Sequence, residues 1–189
     1  MTQLKKELET EIKVMISKEE YEGFFCKATQ IYNQTNYYYK VNDDMYVRLR
    51  KLRDKYFLQY KELFGESRKA LKENYEYSMD ITEADYIVIK NNPNALYEYL
   101  DIKDINIDCS KYKGCLKTIR GHIVLDESMN KVQVDLNEYN GKVDYELEWE
   151  IDKNEYDKAV EILKDNGIDL NQRKVGLTKF ARMMHASSY

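Results

Sequence analysis

The chain has 189 residues, 43% of them hydrophobic, which suits one domain over residues 1–189 with a sizeable core. Its net charge of −4 and pI near 5.4 argue against a nucleic-acid footprint, which is ordinarily strongly basic. No stretch approaches the roughly 18 consecutive apolar residues of a membrane span. The three cysteines, Cys26, Cys109 and Cys115, are odd in number and lack metal-ligand spacing. The expected setting is therefore a reducing cytoplasm, with neither membrane nor nucleic acid as partner.

The first element is the stretch Glu7–Ile16, where charged and apolar residues alternate. On a β-strand this places Glu7, Glu9, Glu11 and Lys13 on one face and Leu8, Thr10, Ile12, Val14 and Ile16 on the other. Carboxylates two residues apart stand about 6.6 Å from one another and repel by roughly 2.5 kcal/mol at an effective dielectric near 20. Either water disperses that repulsion or a cation sits among the acids. Ser17-Lys18-Glu19-Glu20 then predicts a capped helix from Lys18 to Tyr32, with Tyr21, Phe24, Phe25, Ala28 and Ile31 as its core face.

Asn36–Lys40 reads as a strand and Asn42-Asp43-Asp44 as its turn. The return strand Met45–Lys51 sets Arg48 and Arg50 against Val47 and Leu49. After a turn at Arg53-Asp54, Tyr56–Lys61 puts Gln59 and Lys61 together on one side. A further strand is expected around Glu73–Tyr77. Thr82-Glu83-Ala84-Asp85 caps a helix ending near Asn91-Asn92-Pro93, and Pro93 opens a short helix to Leu100. The second half predicts strands at Tyr112–Arg120, His122–Leu125, Lys131–Tyr139 and Val143–Ile151, with turns at Gly121, Glu127–Asn130 and Asn140-Gly141. In the last strand Val143, Tyr145, Leu147 and Trp149 alternate with Asp144, Glu146, Glu148 and Glu150, and in its partner Asp135 shares a face with Gln133 and Asn137. An amphipathic helix, Glu155–Asn166, ends at Gly167, and a basic segment, Arg173-Lys174, leads into Thr178-Lys179-Phe180-Ala181-Arg182-Met183.

For any one strand, a polar face turned to water explains such alternation. What distinguishes this chain is segregation: acids gather in the first and last long strands, bases in those around Arg48, Lys61 and Arg120. A closed sheet brings these rows together inside. Hard cations prefer carboxylate oxygens and phosphates prefer Arg and Lys, so the interior suits a metal and a triphosphate. Facing rows of like charge also predict a lumen under repulsion that metal and ligand relieve.

Glu9-Thr10-Glu11-Ile12-Lys13 resembles the N-terminal Glu-x-Glu-x-Lys signature of the CYTH superfamily, the triphosphate tunnel metalloenzymes that include class IV adenylate cyclases and thiamine triphosphatases. The resemblance continues through Arg48 and Arg50, Lys61, Arg120, Asp135, the Glu146-x-Glu148 pair and Lys179, and the organisation is similar to small Gram-positive bacterial members. It implies an α+β fold: an eight-stranded antiparallel β-barrel, the triphosphate tunnel, with helices packed outside. It further implies Glu9, Glu11, Glu146 and Glu148 as ligands of Mg2+ or Mn2+, with Asp135 as a further ligand or a positioner of water. Lys13, Arg48, Arg50, Lys61, Arg120 and Lys179 would clamp phosphate oxygens, and Glu9, Glu11, Lys13 and Asp135 form the implied catalytic set.

The implied activity is metal-dependent hydrolysis of a triphosphate, with inorganic triphosphate leading over thiamine or nucleoside triphosphates, by a monomer or homodimer. An adenylate cyclase and a non-catalytic polyphosphate- or nucleotide-binding module are the other readings. Lys174 competes with Lys179 as the late cation, the region from Lys69 to Glu76 lacks a clear counterpart, and Glu7 and Glu76 are optional lumen residues. His122 shares the parity of Arg120 but is read as incidental. His185 is read as a surface residue, and Trp149 as packing between barrel and helices.

Overall fold

A period-two pattern that leaves one face polar and the other apolar lets a sheet close on itself. The computed structural model describes residues 4–40, 46–63, 70–99, 112–173 and 177–186. Its strands are β1 (Lys5–Met15), β2 (Gln30–Lys40), β3 (Tyr46–Leu52), β4 (Lys55–Leu63), β5 (Leu71–Ile81), β6 (Tyr112–Ile123), β7 (Val132–Tyr139) and β8 (Lys142–Glu150). They form a closed barrel in the order β1-β5-β4-β3-β2-β6-β7-β8, every neighbour antiparallel. The hairpin turn between β7 and β8 has Asn140 at φ 48° and Gly141 at φ 72°, the positive angles that a two-residue turn needs to match the strand twist.

The helices are α1 (Lys18–Phe25), α2 (Glu83–Asn91), α3 (Leu96–Tyr99), α4 (Tyr156–Asp165) and α5 (Lys179–Ala186). α1 and α2 each start in a capping box, Ser17 with Glu20 and Thr82 with Asp85. α4 stops in a Schellman arrangement, in which the N–H of Gly167 donates to Lys164 O and that of Ile168 to Leu163 O. No helix among the described residues is long and apolar enough to cross a membrane.

Two cores lie on the outward strand faces: Ile12, Val14, Val134, Leu147 and Trp149 pack with α1 and α4, and Val47, Leu49 and Leu58 pack with α2 and α3. A third cluster, in which Tyr38, Leu116 and Tyr139 receive Met183 of α5, lies on the inward faces that also carry Arg48, Arg120 and Asp135. Trp149 is fully buried and its indole N–H donates to Asn130 O at 2.8 Å. The polar faces are left inside.

Two expectations change. The helix predicted from Lys18 to Tyr32 ends at Phe25, and Gln30–Lys40 is a strand. From Thr29, whose N–H donates to His122 O at 2.8 Å, the backbone joins the ladder to β6, and Ile31, expected in the core, is 54% exposed. The three-and-four spacing up to Ala28 runs by coincidence into a period-two segment. Gly121 is not a turn: β6 passes straight through it, pairing with Ile31 and Val134. A Cβ there would lie 2.9 Å from the ring of Phe25, so the glycine allows α1 to lie against the barrel. The predicted turn Asn42–Asp44, Cys109 and Lys174 fall outside the described residues.

Candidate active site

The strand registers decide which charges meet in the lumen. Glu148 stands opposite Lys13 and Gln133, Asp135 opposite Glu146 and Arg120, Arg120 opposite Tyr32, and Glu76 opposite Lys61 and Glu7. Two ionic clusters result.

The first is buried. Asp135, Glu146 and Glu148 are buried, and one oxygen from each lies within 4.8 Å of the others. Lys179 enters from α5 and places its ammonium among them, 2.8 Å from Asp135 and 2.9 Å from Glu148, with Glu146 also in contact. Arg120 donates to both oxygens of Asp135 at 2.7 and 2.6 Å and to Glu148 at 2.6 Å. Lys13 bridges Glu148 at 2.5 Å and Glu11 at 3.4 Å. Burial alone would raise the pKa of Glu148, but Lys13, Lys179 and Arg120 hold it well below the ordinary carboxylate range. Asp135 is lowered in the same way, burial being outweighed by Arg120 and Lys179. Lys13 and Lys179 are raised, since the surrounding carboxylates outweigh desolvation.

The second cluster lies on β1, β3, β4 and β5. Glu9 pairs with Lys61, and Glu76 receives Arg48 at 2.9 Å and Lys61 at 3.4 Å. Gln59 accepts from Arg48 at 2.9 Å and donates to Glu76 at 2.7 Å. Beyond it, at one mouth of the barrel, a cavity of about 220 Å³ is lined by Lys5, Glu7, Phe57, Gln59, Glu76, Ser78 and Asp80.

All the residues singled out from the sequence, Glu9, Glu11, Lys13, Arg48, Arg50, Lys61, Arg120, Asp135, Glu146, Glu148 and Lys179, thus lie on the lumen side. They are not grouped as the resemblance implied. Glu9 stands with Lys61 rather than with Glu146 and Glu148, and Glu11 reaches the acidic group through Lys13. The expected lumen under unrelieved like-charge repulsion is also corrected: although Asp135 stands opposite Glu146 and Glu76 opposite Glu7, each of Glu9, Glu76, Asp135, Glu146 and Glu148 is in contact with at least one lysine or arginine. Lys179 is in the lumen, its competitor Lys174 lies outside the described residues, and the adjacent Arg173 binds Glu20 at the base of α1, its Nη1 at 3.0 Å.

Some lumen residues escaped the sequence reading. Arg182, one turn after Lys179, binds Asp144 at 2.6 Å and Glu146 at 3.0 Å; the i, i+3 spacing on α5 was the available signal. Gln34 and Asn36 of β2 carry no charge and sat beside a misassigned helix end. His122 enters the lumen side and meets the Tyr32 hydroxyl at 2.7 Å, whereas His185 is exposed as expected.

Three buried carboxylates that already surround a cationic ammonium form an all-oxygen donor set, the kind that hard divalent ions take. A group of this composition could hold a metal ion. The neighbouring cations are suited to phosphate oxygens.

The fold is similar to that of HpAC1 from Hippeastrum, a candidate adenylyl cyclase for which a dominant triphosphatase activity is described, at 19% identity, TM-score 0.74, over 94% of this chain and 95% of that one. It is likewise similar to a candidate adenylate cyclase from Bacillus halodurans, at 22% identity, TM-score 0.69, over 94% and 97% of the two chains. A conserved hypothetical protein from Pyrococcus furiosus aligns at 22% identity, TM-score 0.59, over 90% and 97%. No curated protein matches the sequence. The CYTH domain profile matches residues 7–180, from Glu7 at the mouth of the lumen to the first turn of α5. With a match over that span, the chain belongs to the CYTH family.

Proposed function

We propose that the protein is a metal-dependent triphosphatase, with inorganic triphosphate as its leading substrate. The observation that carries this reading is the buried group Asp135, Glu146 and Glu148 in the same lumen as Lys13, Arg48, Arg50, Lys61, Arg120 and Lys179. Asp135, Glu146 and Glu148, with Glu11 adjacent, would hold Mg2+ or Mn2+. Such an ion supplies Lewis-acid polarisation of a phosphoryl oxygen and charge neutralisation in phosphoryl transfer. The arginines and lysines bind and orient the polyphosphate and offset the charge that develops on its oxygens. Asp135, held ionised by Arg120 and Lys179, is an acceptor that can orient a water by hydrogen bonding. In the bound state these cations exchange part of their carboxylate contacts for phosphate oxygens.

The test is direct. Purified protein is incubated with inorganic triphosphate, thiamine triphosphate or ATP in Mg2+ or Mn2+, and phosphate, pyrophosphate and cyclic AMP are followed. Phosphate release from inorganic triphosphate, abolished by a chelator and reduced at least about tenfold in Arg50→Ala, is the expected result. Pyrophosphate with cyclic AMP from ATP would make the protein a cyclase, and binding without any product would make it a polyphosphate-binding module.

A further inference from the structure

Most lumen cations are matched by carboxylates, but one wall is not. Arg48, Arg120, Lys13, Lys61 and Lys179 each contact at least one acid. Arg50, on β3, has among the described residues only the side-chain oxygen of Asn36, which accepts from its Nε at 2.9 Å. That bond also orients the Asn36 amide, because the oxygen must face the guanidinium and the NH2 must point away. Both Asn36 Nδ2 and, two residues earlier on the same face of β2, Gln34 Nε2 are buried donors without a hydrogen-bond partner among the described residues. The residues are 0% and 3% exposed. Burying an amide NH2 unpaired is costly, and native proteins rarely do so without use for the donor.

In the closed sheet β2 lies diametrically opposite β1, with three strands between them on either side. This wall therefore faces Glu9, Glu11 and Lys13 across the lumen. It offers two neutral donors and a guanidinium that no carboxylate contacts among the described residues, and all three can donate to an acceptor. Burial, then Arg48 and Arg120, push the Arg50 pKa down to about 9 against the attraction of Glu76, which leaves the guanidinium charged at neutral pH.

We propose that Gln34, Asn36 and Arg50 form a phosphoryl-oxygen subsite, in which the two amides and the guanidinium donate to one phosphate group of a bound polyphosphate on the wall opposite β1. This rests on the triphosphate reading of the lumen and extends it to two uncharged residues. Neutral donors recognise the oxygens without deepening the repulsion among Arg48, Arg50 and Arg120. The subsite reads the phosphate chain itself, so it serves inorganic triphosphate and the triphosphate of a nucleotide alike.

The test exploits the opposite signs that an orphan donor predicts. Gln34→Met keeps the volume and removes the donor without adding charge. Its melting temperature in the absence of phosphates should stay equal to that of the parent or rise, while Kd for inorganic triphosphate, measured by calorimetry in EDTA, rises about tenfold or more, the range for a hydrogen bond to a charged acceptor. Asn36→Asp keeps the acceptor for Arg50 and should weaken binding at least as much. Kd for ATP should rise by the same factor in both variants. Affinities equal to the parent's in both folded variants overturn the subsite and leave the triphosphate reading intact; so does a loss seen with ATP alone, which would place the nucleoside on this wall. Failure of the parent protein to bind either compound, with EDTA or with Mg2+, removes the triphosphate reading and the subsite together.

Discussion

At Glu148 three cations converge: Lys13 at 2.5 Å, Arg120 at 2.6 Å and Lys179 at 2.9 Å. Each arrives from a different element, β1, β6 or α5, so the one carboxylate ties three parts of the molecule to β8. Removing one partner of a buried ion pair costs far more than an exposed pair contributes, because the remaining charges keep their desolvation cost without their compensation. Glu148→Gln retains the shape and loses the charge. It should destabilise the protein by on the order of 3 kcal/mol, measured by urea denaturation at pH 7, and should lose most metal-dependent phosphate release at temperatures where it remains folded. Lys18→Ala, an exposed change on α1 beside Glu22, should leave both measurements unchanged. Stability at the parent level in Glu148→Gln would mean that Lys13, Arg120 and Lys179 find other partners readily.

At the scale of elements, β6 and α1 depend on one another through Gly121. A Cβ on residue 121 would approach the Phe25 ring to 2.9 Å and Ala28 Cβ to 3.1 Å. Gly121→Val therefore forces α1 outward, and overpacking of this kind costs about 1–3 kcal/mol. Denaturation should report that loss while Kd for inorganic triphosphate stays at the parent value, since residue 121 faces away from the lumen; a large change in Kd would mean that α1 positions the lumen strands. This glycine also shows where sequence reasoning runs out. A glycine between strand-like runs signals either a turn or a close backbone approach, and only the position of Phe25 in space separates them. Likewise, β1, β3, β4 and β8 were legible because contiguous charges mark their parity, and the Ser17 and Thr82 boxes marked the helix starts. β2 was misread in its first half because the apolar spacing of Tyr21 to Ala28 carries on to Ile31 across the helix end. Inward-facing residues could be named from parity, but their partners could not: that Glu9 meets Lys61 and that Lys13 meets Glu148 follows from strand order and stagger, which no single strand encodes. Gln34 and Asn36 gave no signal at all, being neutral residues on a strand whose start was hidden.

For the molecule as a whole, a lumen held by acid–base pairs makes stability depend on pH in a defined direction. Burial would raise the pKa of Glu76, but Arg48, Lys61 and Arg50 outweigh it and hold the group below its ordinary 4.5. Asp135 and Glu148 shift the same way. A carboxylate whose folded-state pKa is depressed binds fewer protons folded than unfolded, so its contribution is complete above the unfolded value and is lost as pH falls through the folded one. Glu9 is the exception: burial raises its pKa in spite of Lys61, so it takes up its proton earlier in the folded state and partly offsets the first of that loss. On the alkaline side Lys13, Lys61 and Lys179 are raised above their ordinary 10.5, so their contribution is complete below that value and is lost as pH rises through the folded-state values. Denaturation midpoints should form a plateau from about pH 5 to about pH 9 and fall most steeply below about pH 4.5, whereas above about pH 9 the loss from the lysines is partly offset by Arg50, whose folded-state pKa of about 9 lies below its ordinary 12.5. Glu76→Gln removes one depressed carboxylate and should make the acid limb shallower while lowering the plateau, because Arg48 and Lys61 lose their common partner. An acid limb of parental slope in that variant would show that Glu76 is not ion-paired in the folded protein in solution, and a midpoint that climbed steadily from pH 5 to pH 3 would show the same of the lumen acids as a set.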